Sequence, residues 1–482
     1  MYARCDVPGA GAFARAFSGE ICMRKDTQAE THSAKALRRL AASAAVLLAV
    51  CLVLMTPVSA VGSSDQSWYF PSDPTKGTET NPYEITTAEA LFGLAELVNY
   101  GELGPNPQPL NFMGVYIKLG DDIDLMDVLW EPIGLSPNTA FSGYFEGNGK
   151  TISGLNVSIQ PSPLSPVSGS TYAGLFGYID SGGSVTNLTV IGDVDVTGDG
   201  DAVFAGGIAG QNDGVIAESS FQGLVNAAND DNSAAPSPPL TSVGGIAGTN
   251  GGTIRNCYTT DAVTANGGNA VAGGIAGMNS APQLPAEIQN CYATGTVEAD
   301  GIQAYAGGIA GVNGGGTIEK CYALNDEVTV SGQYGASAAR VVGLNDIGQS
   351  PSDLPAGNYG WKHMFQELPV NLPPGYDACL PSWNAPSICA VQILSASWDS
   401  TNIWTMTGRG NYKLPVLTNS NTNPSETPEH LLVEVTFNAN GGTPTPTSQK
   451  VLDGALVTEP TGVVKTGYTL EGWYTEENFQ NK

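Results

Sequence analysis

The sequence predicts an all-β chain whose middle is a parallel β-helix. Three observations carry this. The string G-G-I-A-G recurs at Gly206–Gly210, Gly244–Gly248, Gly273–Gly277 and Gly307–Gly311. Each copy leads, after a turn, into a second motif: Thr253-Ile-Arg-Asn-Cys-Tyr258, Glu287-Ile-Gln-Asn-Cys-Tyr292 and Thr317-Ile-Glu-Lys-Cys-Tyr322. The chain holds 61 glycines in 482 residues and only 13% charged residues, which favours tight turns over helices.

The repeats come first. A weaker copy starts at Ala173–Gly177 and a decayed one ends at Val341–Asn345, so the repeat region covers about residues 173–345 with steps of 33, 38, 29, 34 and 35 residues. A short third stretch such as Thr296-Val-Glu298 completes each unit. Three short β segments separated by glycine turns describe one coil of a solenoid. Helical repeats of similar period are excluded, because the glycine-rich windows would break both helices. Ile246, Ile275 and Ile309 are expected to stack as an internal ladder. Their flanking glycines serve either a sharp bend or a close approach of coils. Strict alternation puts Ile254, Asn256 and Tyr258 on one side, and Arg255 and Cys257 on the other. A thiol among charges is anomalous, and a bend at the asparagine would turn it inward.

On these residues the pattern G-G-I-A-G-x-N-x-G-x-I-x-N-C-Y-A resembles the GLUG motif of bacterial surface and secreted proteins. The resemblance implies a right-handed parallel β-helix and an adhesin-like role. Some large IgA-cleaving metalloproteases carry the same motif, so it names no activity.

The leader precedes the solenoid. Lys35, Arg38 and Arg39 stand before an uncharged apolar run from Leu40 to Met55, and Thr56-Pro-Val-Ser-Ala60 suits a signal peptidase. Residues 1–60 are therefore read as a signal peptide, against the alternative of an uncleaved anchor. Seven of the 19 basic and four of the 46 acidic residues lie in it, so its removal takes the net charge from −27 to −30. Such acidity excludes nucleic acid as a partner and, after cleavage, an anionic membrane.

Residues 61–110 supply an N-terminal strand and helix cap. Thr86-x-x-Glu89 has capping-box spacing; Leu91, Leu94, Ala95 and Val98 form an apolar stripe; Gly101 ends the helix. The solenoid is read over 111–345. Its first segments, from Tyr116-Ile-Lys-Leu119 to Phe141–Ile152, resemble the opening coils of bacterial surface β-helices of pectate-lyase-like architecture. Residues 346–417 are read as C-terminal coils and cap. They hold Trp361, Trp383, Trp398 and Trp404, which cover the last coil or stack on sugar. Cys379 and Cys389 are expected to pair.

A linker is read over 418–430. In 431–482, V-x-F-x-x-N-G-G followed by G-Y-x-x-x-G-W-Y resembles the Listeria–Bacteroides repeat, the internalin-type B-repeat, which implies a small β-grasp-like module. The family's final aromatic strand does not follow before Lys482, so the module is expected to be incomplete or the chain a fragment. Leu414-Pro-Val-Leu-Thr418 is not an L-P-x-T-G sorting signal, so any anchor would lie beyond Lys482.

The search for chemistry returns no catalytic, cofactor-binding or metal-binding residue and no cofactor. His32, His363 and His430 form no H-E-x-x-H, and no G-x-S-x-G accompanies them. His363 and His430 are read as surface side chains. Asp121, Asp122 and Asp124 sit in a strand pattern with one solvent side. Asp193, Asp195, Asp199 and Asp201 lie in a loop-like stretch that lacks the EF-hand pattern. Cys257, Cys291 and Cys321 are read as stacked, half-buried small residues rather than a metal ladder, and no C-x-x-C pair exists. The expected function is non-catalytic binding at the bacterial surface or outside the cell, to host or matrix glycans or proteins, or to neighbouring cells. The alternatives are a carbohydrate-active β-helix enzyme, lyase or glycosidase, and a structural stalk.

Overall fold

The computed structural model describes residues 62–102, 108–160, 169–229, 238–280, 286–345, 357–361, 364, 387–388, 393–394, 403–405 and 412–473. Residues 1–60, read as a signal peptide, lie outside them, as do His363, Trp383, Trp398, and Cys379 and Cys389, which were expected to pair. The described chain is a parallel β-solenoid of about seven turns.

Each coil has the same plan. In one of them, Ala276–Asn279 turns into Glu287–Gln289, a corner residue leads to Tyr292–Ala293, and the long strand Val297–Gly307 returns the chain to the next G-G-I corner. Equivalent strands pair in parallel, giving sheets of eight, 16 and six strands among the described residues. Two inward columns fill the core. In the eight-stranded sheet, Ile117, Phe145, Val185, Ile216, Ile254, Ile288 and Ile318 stand in register. At the glycine corner, Ile208, Ile246, Ile275, Ile309 and Val341 stack through backbone hydrogen bonds of 2.9–3.0 Å. All are fully buried, each contributing about 2 kcal/mol of hydrophobic stabilisation.

Both explanations of the glycines hold, at different positions. A Cβ on Gly244, Gly273 or Gly307 would strike the carbonyl three residues on, which is the bend. A Cβ on Gly245 or Gly274 would strike the carbonyl of the equivalent glycine one coil later, which is the close approach. Neither set needs a left-handed backbone.

The cysteine anomaly also resolves. Asn256, Asn290 and Lys320 adopt φ of +54°, +53° and +52°. This left-handed residue breaks the alternation of two, so Cys257, Cys291 and Cys321 point inward with Ile254, Ile288 and Ile318, and all are buried. Tyr258, Tyr292 and Tyr322 then face outward.

One helix is present among the described residues, Ala88–Asn99. Its cap is Thr87, whose hydroxyl accepts the Ala90 N–H at 3.2 Å, rather than Thr86. The expected stripe is buried, and Gly101, at φ +94°, donates to the Glu96 and Leu97 carbonyls. The helix packs on the first coils: Phe92 lies 5.1 Å from Trp130, and Asn99 bridges the Pro132 carbonyl and the Gly134 N–H. No described helix is long and apolar enough to cross a membrane.

Two boundaries change. Tyr359–Trp361 and Ser387–Ile388 continue the coil stack, but Trp404 lies on the flank of the solenoid. Residues 418–430, expected as a linker, form part of a packed strap. It follows an outward column, Thr151–Thr189–Ser220–Tyr258–Tyr292–Tyr322–Tyr359. Tyr292 donates to the Pro415 carbonyl at 2.6 Å, Ser420 meets Thr189 at 2.9 Å, and Thr151 donates to Thr422 at 2.7 Å. Short polar residues read as a linker from composition, yet here their hydroxyls bond those of the column. Beyond the strap, Leu432–Val435 and Gln449–Leu452 form an antiparallel hairpin.

Candidate functional site

The acidic candidates are dispersed. Asp122 accepts the Thr151 N–H, 29 residues on, and Asp124 the Met126 N–H, both at 2.8 Å, so the first carboxylate links neighbouring coils and the second holds a turn. The stretch containing Asp193 and Asp195 is not a loop: it belongs to the strand Thr189–Gly198, where Val194 and Val196 point inward and the aspartates outward. Asp195 accepts from Asn226 Nδ2 at 2.8 Å, one coil on. Among the described residues no three His, Cys, Asp or Glu side chains converge as a metal-holding group.

His430 is not a surface side chain. It is 14% exposed, its Nε2 lies 2.8 Å from the Leu324 carbonyl, and Nδ1 lies 3.9 Å from Asp326. Burial pushes the imidazole's pKa down, opposed by the Leu324 hydrogen bond and by Asp326. Trp361 lies 4.9 Å away.

Each stacked thiol points at the carbonyl two residues before it: Cys257 to Arg255 at 3.2 Å, Cys291 to Gln289 at 3.2 Å, and Cys321 to Glu319 at 3.3 Å. Burial, then the two neighbouring thiols, raises the Cys291 pKa well above its ordinary value, which leaves an unreactive thiol.

One column escaped sequence reasoning. Asn212, Asn250, Asn279, Asn313 and Asn345 form a ladder in which each Nδ2 donates to the next Oδ1 at 2.8–2.9 Å. Its signal was the asparagine two residues after each G-G-I-A-G. The ladder is architectural, because four of its members are buried.

Among the concave features of the described outer surface are a trough and a cleft. The first is a trough of about 550 Å³ on the long strands. Its floor is the glycine column Gly267–Gly301–Gly332, and its rim is the column Asn266–Asp300–Ser331, both in register. A Cβ on these glycines would meet Thr241 Oγ1, the Gly267 carbonyl and the Gly335 carbonyl in turn, so they let the chain pack on itself, while the amide, carboxylate and hydroxyl groups of the rim offer both donors and acceptors. The second is a cleft of about 400 Å³ in the N-terminal cap, with Tyr69 and Phe112 among its lining residues.

Residues 303–330 match the family model described as the GLUG motif, and residues 434–482 match that of the Listeria-Bacteroides repeat domain. A "Putative Gly-rich membrane protein" of Evansella cellulosilytica is 33% identical over 178 residues, 36% of this chain and 18% of that one. "Halomucin" of Haloquadratum walsbyi is 34% identical over 141 residues, 28% of this chain and 1% of that one. The match therefore spans only a small part of either relative. A crystal structure described as that of a "putative immunoglobulin A1 protease" from Bacteroides ovatus superposes with a TM-score of 0.47 at 19% identity, covering 71% of this chain and 94% of that one. The two repeats and the glycine-rich relative fit a surface or extracellular protein built on a β-helix.

Proposed function

We propose that the protein is a non-catalytic binding module of the cell exterior, whose solenoid presents repeated weak contacts to an extended partner. The observation that carries this reading is the trough: the same glycine floor and polar rim repeat in register over three coils, at the ~4.8 Å spacing of paired strands. Repetition at fixed spacing favours multivalent contact, in which individually modest interactions add through effective concentration. Adhesion to host, matrix or neighbouring-cell glycans or proteins is the use such a face serves best.

The test is an array of glycans and matrix proteins probed with the full chain, run beside a polysaccharide depolymerisation assay. Retention without product release is the expected result, lost when Asp300→Ala and Ser331→Ala are combined. Release of oligosaccharides would replace this reading with an enzyme; retention of nothing would replace it with a stalk.

A further inference from the structure

Two strands at the far end of the stack have their outer edges covered, and the longest one does not. Asn358 accepts the Cys321 N–H at 3.0 Å and donates to the Ile318 carbonyl at 2.6 Å, which caps the coil at Thr317–Glu319. Tyr359–Trp361 pairs with Tyr322–Ala323. The strand Val328–Ala339 pairs with Val297–Gly307 on one side, and among the described residues no strand pairs with its other side.

The core beneath that strand is open in the same place. Ala299, Ala304 and Ala306 are fully buried one coil earlier, whereas their in-register neighbours Val330, Ala336 and Ala338 are half-buried. Soluble proteins guard such edges with charge, with proline or by keeping the strand short. Val328–Ala339 runs for 12 residues without a charged residue or a proline. Its one irregularity is an extra residue at Gln333–Tyr334, opposite Ile302, which leaves two regular arms, Val328–Gly332 and Gly335–Ala339.

Charge and pattern select the occupant. The chain carries 46 acidic against 19 basic residues, so two copies repel over most of their surface, and an uncharged strand is where they can meet. The strand is also complementary to its own reverse. Antiparallel pairing with a second copy about Gln333 sets Val330 opposite Ala336 and Val328 opposite Ala338, all on the core side of the sheet. It sets Asp326, exposed beside Glu327 at one end, opposite Arg340 at the other. In-register parallel pairing would set each charge against its like.

We propose that the protein forms a two-fold dimer in which Val328–Ala339 of one copy pairs antiparallel with the same strand of a second copy. The contact is isologous and closes on itself. A single strand pair is a small interface, so the association is reversible and depends on concentration. Ser331 of the trough rim lies on this strand, so pairing brings two troughs to one shared edge, where weak contacts gain avidity. The dimer does not depend on the binding reading above.

The experiment is sedimentation velocity on the full chain from about 1 to 100 µM, with oxidative cross-linking beside it. A shift from monomer to dimer across that range is expected. Val330→Lys puts an unpaired charge into the seam and should weaken the dimer at least tenfold. Gln333 is exposed, so Gln333→Cys keeps the fold. It should give a disulfide-linked dimer through the two introduced thiols, located by peptide mass mapping. Thr264→Cys, on a strand paired on both sides, should give none. A chain that stays monomeric at the highest concentration would overturn the proposal. So would a dimer that survives Val330→Lys and is not cross-linked through Gln333→Cys, because its interface lies elsewhere. Species that keep growing beyond the dimer would overturn the two-fold closure.

Discussion

Asn250 donates its side-chain N–H to Asn279 Oδ1 across 2.9 Å, inside a core where both residues are fully buried. Asn279 passes the bond to Asn313 at the same distance. Each interior rung therefore has a partner above and below, and each amide also reaches a backbone carbonyl. Asn279→Ala strands the buried partners on both sides and should cost about 3 kcal/mol. Asn345→Ala, at the half-buried end of the ladder, removes one bond and should cost about 1 kcal/mol. Urea midpoints of the two variants compare them; equal costs would refute the cooperative ladder.

The corner before the thiol has a sign that can be tested. Lys320 is exposed and left-handed at φ +52°, where an L side chain costs about 1–2 kcal/mol. Lys320→Gly should stabilise the protein by up to about 1 kcal/mol, and Lys320→Val should destabilise it by at least as much. Thermal melts of the two variants should shift in opposite directions.

The thiols should be silent in the folded protein. All three cysteines are buried, and in an earlier coil Ser219 occupies the same position, its hydroxyl donating to the Ala217 carbonyl at 2.7 Å. Cys257→Ser should therefore cost less than about 2 kcal/mol. Ellman's reagent should react with Cys257, Cys291 and Cys321 only after denaturation. Rapid labelling of these three in the native chain, located by peptide mass mapping among its eight cysteines, would contradict the inward turn at Asn256 and Asn290.

His430 makes the strap sensitive to acid. Burial holds its folded pKa below the ordinary imidazole value of ~6.5. The freed segment takes up a proton more readily than the docked one, so docking is fully stable above pH ~6.5 and weakens as pH falls through the folded value. Protection factors across residues 412–431, with the intrinsic pH dependence of amide exchange divided out, should fall between pH 7 and pH 5, and His430→Gln should flatten that dependence. Protection independent of pH in the wild-type chain would remove His430 from this role.

Much of the stack was legible because repetition multiplies a weak signal. Ile246, Ile275 and Ile309 announced a ladder, since one apolar residue between glycines is noise and four copies are a column. Alternation failed at Cys257, where a single left-handed asparagine shifts the phase by one residue; Asn-Cys in two of the three motifs was the trace of it. The asparagine ladder went unread because an asparagine near glycines reads as a turn. The capping threonine was displaced by one position, within the usual fraying of helix ends. The strap was illegible for a different reason. Its Ser420 and Thr422 look like linker residues until the hydroxyl column of Thr151 and Thr189 stands opposite them, and that column exists only once the coils are stacked.

The path of the strap has a mechanical consequence. From Trp404 and Tyr412 beside Tyr258 and Tyr292 it runs to Gly149 and Thr151, then returns to Leu324 at His430 before entering the hairpin. Tension applied to the C-terminal hairpin thus meets the flank before it meets the final coil. The load is taken in shear, spread over hydroxyl bonds and tyrosine rings on several coils at once, while the terminal coil is spared from being peeled strand by strand. A tether attached this way yields by sliding off a side wall, and the stack beneath can stay wound when it does.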